Sequence, residues 1–339
     1  MGKTSSILAV AQHGTSDTVL LAKAAALARA FGFGLELFLC DAEQAYALKH
    51  DYQPAGHDKA MSACIARGKA YLAEQRKLID PAVSSVAVDA ACESPLYEGV
   101  VHKVQRCHPE LVMKAAGGID RRGHSAFDEN DWQLMRTCPA TLALVQARHW
   151  RKRLRIAAAI DVSDEETEGL ANAIIRIARR LALATGGELE LVYAERMPPE
   201  NSESRARASK LRTLARMVDL DERHAHILPG TPEQELAAFA AGRDYDVLVL
   251  GALTHRKAPV RLVGSLTSTL VEALDSDFLL IKPDAAVAEG RVPRGSRSHS
   301  ADALAPAARN AAVRAWMGRA AGGAGQPDPL RASSASQRS

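Results

Sequence analysis

Short apolar runs alternate with longer amphipathic stretches along this chain, and the alternation occurs twice. The first half opens with the apolar run Ile7–Gln12, which ends at a turn, His13-Gly14-Thr15. A stretch with helical spacing of apolar residues follows over about Ser16–Phe31, and the apolar run Leu35–Cys40 comes next. Short uninterrupted apolar runs are typical of strands buried in a parallel sheet. The pattern therefore predicts a strand, a helix and a second strand at the start of the chain.

The second half begins with the same order of elements. The run Arg155–Asp161 predicts a strand, and Glu188–Ala194 predicts the strand that follows it. Between them, Ser163 and Glu166 have the spacing of a capping box, which predicts a helix from there to about Ala184.

The remaining elements also recur in a common order. The pattern predicts helices over His57–Ile79 and Asn201–Leu220, and strands over Ser84–Ala90, Glu110–Ala115, Thr141–Gln146, Arg223–Leu228, Asp246–Gly251 and Phe278–Pro283. Each half then has five strands joined by helices. Because parallel strands need crossover connections, we predict an α/β fold of two tandem doubly wound parallel-sheet domains.

The predicted domains span residues 1–147 and 155–284, with a basic linker at 148–154. We expect this linker to be solvated rather than to bind nucleic acid. Residues 285–339 are rich in Ala, Gly, Ser, Pro and Arg and poor in large apolar residues, which predicts a disordered tail.

Composition and charge narrow the classes of function. Hydrophobic residues make up 47% of the 339 residues and charged residues 24%, the balance of an ordinary globular protein. Aromatic residues make up only 4%, which argues against a protein that stacks nucleic-acid bases on aromatic rings. The net charge of +3 is concentrated in Asp284–Ser339, which holds eight Arg against four Asp or Glu. The rest of the chain is close to neutral, so we expect neither nucleic acid nor an acidic membrane as a partner.

The N-terminal residues and the cysteines favour a cytoplasmic protein. The first residues lack the charged region and long apolar stretch of a signal peptide. No run approaches the ~20 apolar residues of a membrane span. The five cysteines are scattered without CxxC spacing, as is typical of reduced thiols.

Candidate binding residues follow two strands of the second half. In an open α/β sheet, ligands bind at the carboxyl ends of strands where the strand order reverses. Asp161 ends the first strand and could accept hydrogen bonds from a ribose or a base, and Gly251 ends the fourth. Gly264 and Ser265 then open a helix, where free N–H groups, a hydroxyl and the helix dipole favour a phosphate.

The intervening loop is cationic, as a polyphosphate would need; its basic residues are His255, Arg256, Lys257 and Arg261. Each of these features also has a purely structural interpretation. Gly251 could be a turn glycine, Ser265 an N-cap, and the basic residues a solvated loop. Because these features converge at one crevice, the binding hypothesis and the structural interpretation are given equal weight.

The first half differs at the corresponding positions. Gln12 stands where the second half has Asp161, and Asp128 stands where it has Gly264. A carboxylate at the phosphate position would repel phosphate, so we predict that the first half binds no nucleotide.

Three stretches of this chain resemble the universal stress protein superfamily: Asp131–Val145, Gly230–Leu236 and Asp246–Gly251. The resemblance extends over about Ser5–Pro283 and implies tandem domains with the fold of adenine-nucleotide α-hydrolase-like proteins. It also implies a stress-response role without a defined metabolic reaction.

Nucleotide-binding members of that family hold the phosphates of ATP with a Gly, two residues, a Gly, nine residues, then Gly-Ser or Gly-Thr. This pattern falls on Gly251, Thr254, Gly264 and Ser265, with Thr254 in place of the second glycine. Asp161 matches the family's acidic residue after the first strand. The resemblance thus implies that ATP or a related nucleotide is the ligand of the second half.

No catalytic residue is predicted, because the sequence contains neither a GxxxxGK[ST] phosphate loop nor a GxSxG elbow. We expect at most slow incidental ATP hydrolysis. His224 and His226 lie two apart on a predicted strand and could share a metal. Without a third ligand, surface histidines are the favoured interpretation, and no metal is predicted.

Two hypotheses for the function follow. The first is a stress-response module whose second half binds ATP or a related nucleotide, with the first half as a scaffold. The alternative is a non-enzymatic stress protein in which both nucleotide sites are lost and which binds protein partners or another small molecule. In either case, two copies in one chain can pack as an intramolecular pseudo-dimer.

Overall fold

The computed structural model describes residues 6–14, 16–50, 56–119, 125–163, 169–196, 202–252 and 263–282. Its strands, numbered in chain order, are β1 (Ser6–Ala11), β2 (Gly34–Cys40), β3 (Val86–Ala91), β4 (Leu111–Ala115), β5 (Gly118–Ile119), β6 (Ser125–Ala126), β7 (Thr141–Val145), β8 (Arg155–Ala159), β9 (Glu188–Glu195), β10 (Ala225–Pro229), β11 (Val247–Gly251) and β12 (Asp277–Ile281). Its helices are α1 (Ser16–Phe31), α2 (Ala42–His50), α3 (His57–Arg76), α4 (Leu96–Cys107), α5 (Glu129–Thr137), α6 (Leu170–Thr185), α7 (Ser202–Arg216), α8 (Pro232–Ala241) and α9 (Ser265–Ala273). The predicted tail at 285–339 lies outside the described residues.

Ten of the strands form one sheet, five from each half of the chain. Their order is β10-β9-β8-β11-β12-β7-β4-β1-β2-β3. Strands within each half pair in parallel, and the halves meet through β12 and β7, which pair antiparallel. The prediction of two tandem doubly wound α/β units is confirmed. The short hairpin of β5 and β6 was not predicted.

Each half has a point where the chain reverses its direction of travel across the sheet. In the second half, β8 lies between β9 and β11, so the chain leaves β8 on one side and returns on the other. β1 occupies the same place in the first half, between β2 and β4. These two points are where ligands bind in folds of this type.

Helices cover both faces of the sheet. One apolar core continues through both halves under α4, α5, α8 and α9, and includes Val100, Leu134, Phe239 and Leu270. Helices α1 and α6 contact each other on the opposite face. None of the described helices is long and apolar enough to cross a lipid bilayer.

Two local predictions need correction, and one helix was not predicted. Helix α6 begins at Leu170 after Gly169, so Ser163 does not cap it; Gly169 has φ 82°, outside the helical region. Helix α2 was not predicted, because its nine residues offer little periodicity beyond the buried Ala45. β10 begins at Ala225, and His224 lies in a short 3-10 turn.

The linker at 148–154 contacts the second half through its arginines, while His149 and residues 151–153 are exposed to solvent as predicted. Arg148 donates to the carboxylate of Asp244 at 2.9 Å and to the carbonyl of Tyr245 at 2.8 Å. Arg151 also pairs with Asp244, and Leu154 is buried. The basic residues therefore neutralise acidic residues of the same chain.

Candidate ligand site in the second half

The end of β11 is tied to the start of α9. Thr267, in the first turn of α9, donates its hydroxyl to the carbonyl of Gly251 at 2.9 Å. A Cβ on Gly251 would lie 3.0 Å from the Cδ2 atom of Leu170, the first residue of α6. A glycine at this position thus lets α6 pack against the end of β11, and Gly251 is a strand residue rather than the turn glycine of the structural interpretation.

Gly264 and Ser265 form the N-terminus of α9. Gly264 is the N-cap, with extended backbone, and its carbonyl accepts from the N–H of Ser268 at 2.9 Å. Ser265 is exposed at the first position of the helix. The helix dipole and the free N–H groups of this turn favour an anion.

Glu233 lies against the hydroxyl of Ser265. It is the second residue of α8, and its Oε1 accepts from Ser265 Oγ at 3.0 Å. Its Oε2 lies 3.6 Å from a guanidinium nitrogen of Arg196, an ion pair too long for a hydrogen bond. The N–H of Glu233 itself, and then the contacts with Ser265 and Arg196, hold the pKa of this carboxyl below its ordinary value. A carboxylate of this chain therefore stands at the predicted phosphate position.

Asp161 follows β8, the strand beside β11. Its Oδ1 accepts from the N–H of Ser163 at 2.8 Å, which fixes the carboxylate at the turn. Tyr193 of β9 is buried nearby, and burial followed by the charge of Asp161 raises the pKa of its phenol to about 12. Because β8 and β11 pair in register, Asp161 and Gly251 lie at the same edge of the sheet.

The structure thus places Gly251, Gly264 and Ser265 together and puts Asp161 on the adjacent strand end. Thr254 and the predicted basic residues at 255, 256, 257 and 261 lie outside the described residues. Glu233 and Thr267 were missed. Glu233 belongs to the stretch Gly230–Leu236, whose likeness to the family was noted, but its position on Ser265 depends on a contact across 32 residues.

The first half has a different arrangement at the corresponding helix. Asp128 is the N-cap of α5 and accepts from the N–H of Asp131 at 2.9 Å. Asp131 in turn accepts from the N–H groups of Asp128 and Gly117, at 3.0 and 2.9 Å. Lys114 of β4 donates to Asp131 at 2.6 Å, and both side chains are 0% exposed. A buried, paired carboxylate therefore uses the N–H groups that an anionic ligand would need.

No metal centre is apparent in the part of the chain that the structure describes, where no three His, Cys, Asp or Glu side chains are grouped around a common point. His224 and His226 do not share a strand face, since only His226 lies on β10. His226 Nε2 lies 3.1 Å from Glu190, and burial lowers the pKa of its imidazole. His226 thus lies against a carboxylate of the neighbouring strand β9 rather than beside a second histidine.

Comparisons with known proteins agree with this architecture. A sequence model described as the universal stress protein family matches residues 152–282. The chain is 22% identical over 303 residues to universal stress protein E of Photorhabdus laumondii, covering 84% of this chain and 96% of that protein.

Two solved structures are also similar. One is a protein of Pseudomonas aeruginosa PAO1 described as functionally unknown, with a TM-score of 0.65 and 22% identity over 84% of this chain and 95% of that one. The other is a universal stress protein from Archaeoglobus fulgidus, with a TM-score of 0.61 and 13% identity, covering 83% of this chain and 99% of that one. At these identities, the likeness shows the fold.

Proposed function

We propose that the second half of this chain, whose residues 152–282 match the sequence model of the universal stress protein family, binds ATP or a related nucleotide. The phosphates would lie against Gly264 and Ser265 at the start of α9, and Asp161 would hydrogen-bond the ribose or base. The hydrogen bond from Thr267 to Gly251 carries this proposal, because it joins the glycine strand end to an exposed helix N-terminus. The site would serve a cytoplasmic stress-response module rather than an enzyme.

The first half would act as a scaffold. The ion pair of Lys114 with Asp131 supports this division, because it already satisfies the N–H groups of Gly117 and Asp128. We also propose that the two halves stay docked in solution as an intramolecular pseudo-dimer, supported by the pairing of β7 with β12.

Titration calorimetry with ATP tests the nucleotide site, with the parent chain beside a Gly264→Asp variant. We expect binding by the parent and a loss of at least about tenfold in affinity for the variant, because the new carboxylate repels phosphate. Aspartate is a favourable N-cap, and Asp128 caps α5 in the first half, so the variant should keep its fold.

His57→Asp is the matched control, since it adds the same charge at the exposed start of α3 in the first half. It should bind ATP like the parent. Absence of ATP binding by a folded parent chain would contradict the proposal and direct the search to protein partners.

A further inference from the structure

Each half of this chain places one of its own carboxylates at the start of its last helix. In the first half this is Asp131, which is fully buried and bonded to Lys114. In the second half it is Glu233, which reaches from the neighbouring helix α8 to the hydroxyl of Ser265. The two carboxylates differ in how firmly they are held.

The carboxylate of Glu233 is held less firmly than that of Asp131. Its side chain is 23% exposed, and the hydrogen bond that it accepts from Ser265 is at the surface. Its Oε2 is buried yet accepts no hydrogen bond among the described residues, and Arg196, its ionic partner, is largely exposed. Turning this carboxylate away from Ser265 therefore breaks one surface hydrogen bond, while its ion pair with Arg196 can persist.

We propose that Glu233 is a tethered competitor for the phosphate position at the start of α9, and that a ligand must displace its carboxylate to bind there. This inference rests on the proposed function. A carboxylate 3.0 Å from the hydroxyl that a phosphate would use must leave, because like charges at such distances repel strongly. Arg196, already 3.6 Å from Oε2, can keep the displaced carboxylate paired.

Displacement has a consequence for ligand choice. A phosphate carries more charge and more acceptor oxygens than a carboxylate, so it competes well for the N–H groups and the hydroxyl. The competitor thus selects ligands with phosphate groups and disfavours those that offer only a single carboxylate or no charge at this position.

The test is calorimetric titration of the parent chain, Glu233→Gln and Glu235→Gln with ATP and, separately, with adenosine. Glu233→Gln keeps an acceptor for Ser265 but removes the charge, so we expect ATP to bind about tenfold tighter or more. Adenosine has no phosphate, and its affinity should change less than about twofold. Glu235 lies two residues along the same helix, over Gly230, and its variant should bind ATP like the parent.

Equal ATP affinity of the parent chain and Glu233→Gln, with binding lost in Gly264→Asp, would overturn the competitor while leaving the nucleotide site in place. An equal gain for adenosine would also overturn it, because the effect would then be one of shape rather than charge. Absence of ATP binding by all folded variants would overturn the nucleotide site itself, and the competitor with it.

Discussion

Lys114 and Asp131 show how a single buried charge depends on its partner. Burial raises the pKa of the Asp131 carboxyl, and the ammonium group of Lys114 opposes that shift. Two backbone N–H groups complete the set of donors around the carboxylate. Such a pair contributes little net stability while intact, but removal of one member leaves a charge in a medium that cannot solvate it.

We therefore predict that Lys114→Met lowers the free energy of unfolding by about 3–5 kcal/mol. Lys69→Met is the comparison, because Lys69 pairs with Asp89 at 3.3 Å but is 49% exposed. That variant should lose no more than about 1 kcal/mol. Urea denaturation followed by circular dichroism measures both, and equal losses would contradict the assignment of Asp131 as a charged, dependent partner.

At the scale of elements, Asp244 is the acidic residue that contacts two arginines of the linker most closely. Asp244 pairs with both Arg148 and Arg151, and the hydrogen bond from Arg148 lowers the pKa of its carboxyl. The ion pairs of Asp244 with Arg148 and Arg151 therefore stabilise the folded state at pH values above the ordinary pKa of aspartate. This stabilisation is lost only as the pH falls through the lowered pKa. Asp244 also has φ 50°, a conformation that Asp and Asn tolerate.

Asp244→Asn should loosen the linker without straining the turn, because asparagine keeps the left-handed conformation and removes the charge. We expect trypsin to cleave the Arg- and Lys-rich segment at 148–153 several-fold faster at neutral pH in the variant. Glu188→Gln serves as the control, since Glu188 contacts only the end of the linker, through Arg153 at 3.6 Å. Unchanged cleavage in Asp244→Asn would contradict this prediction. It would show that the hydrogen bonds of Arg148 and Arg151 to backbone carbonyls are enough to hold the linker in place.

At the scale of the whole molecule, the two halves are joined by paired strands, by the shared apolar core and by the buried acidic residue Asp277. Asp277, at the start of β12, accepts from Lys23 of α1 at 2.7 Å and from the indole of Trp150 at 2.7 Å. It also accepts from the N–H of Gln146 at 2.8 Å. Lys23 is 3% exposed, and desolvation lowers the pKa of its ammonium group despite the neighbouring carboxylate.

Asp277→Ala should reduce the free energy of unfolding by about 3–5 kcal/mol, because it leaves Lys23 buried without its partner. Asp277 lies where the two halves meet, so its removal weakens the contact between them. We therefore also expect denaturation to separate into two transitions, one for each half. Asp275→Ala, at an exposed site two residues earlier, should stay within about 0.5 kcal/mol of the parent. A single unchanged transition in Asp277→Ala would contradict a coupling role for this residue.

The repeat of strands and helices could be predicted from sequence because it depends on short-range periodicity. Runs such as Leu35–Cys40 and Glu188–Ala194 are mostly apolar over the length of a strand, and they lie in β2 and β9. The same pattern placed Asp161 and Gly251 at the ends of predicted strands, so both could be named as candidates. Helix α2 and the start of α6 could not be predicted, because their local sequence patterns were weak or misleading.

What the tertiary structure alone decided are contacts between residues far apart in the chain. The pairing of Lys23 with Asp277 spans 254 residues, and that of Ser265 with Glu233 spans 32. Periodicity reports which face of an element is buried, but not which polar side chain meets it there. The partner of a buried or helix-end charge is set by the packing of whole elements, and it is this packing that puts Glu233 at the candidate phosphate site.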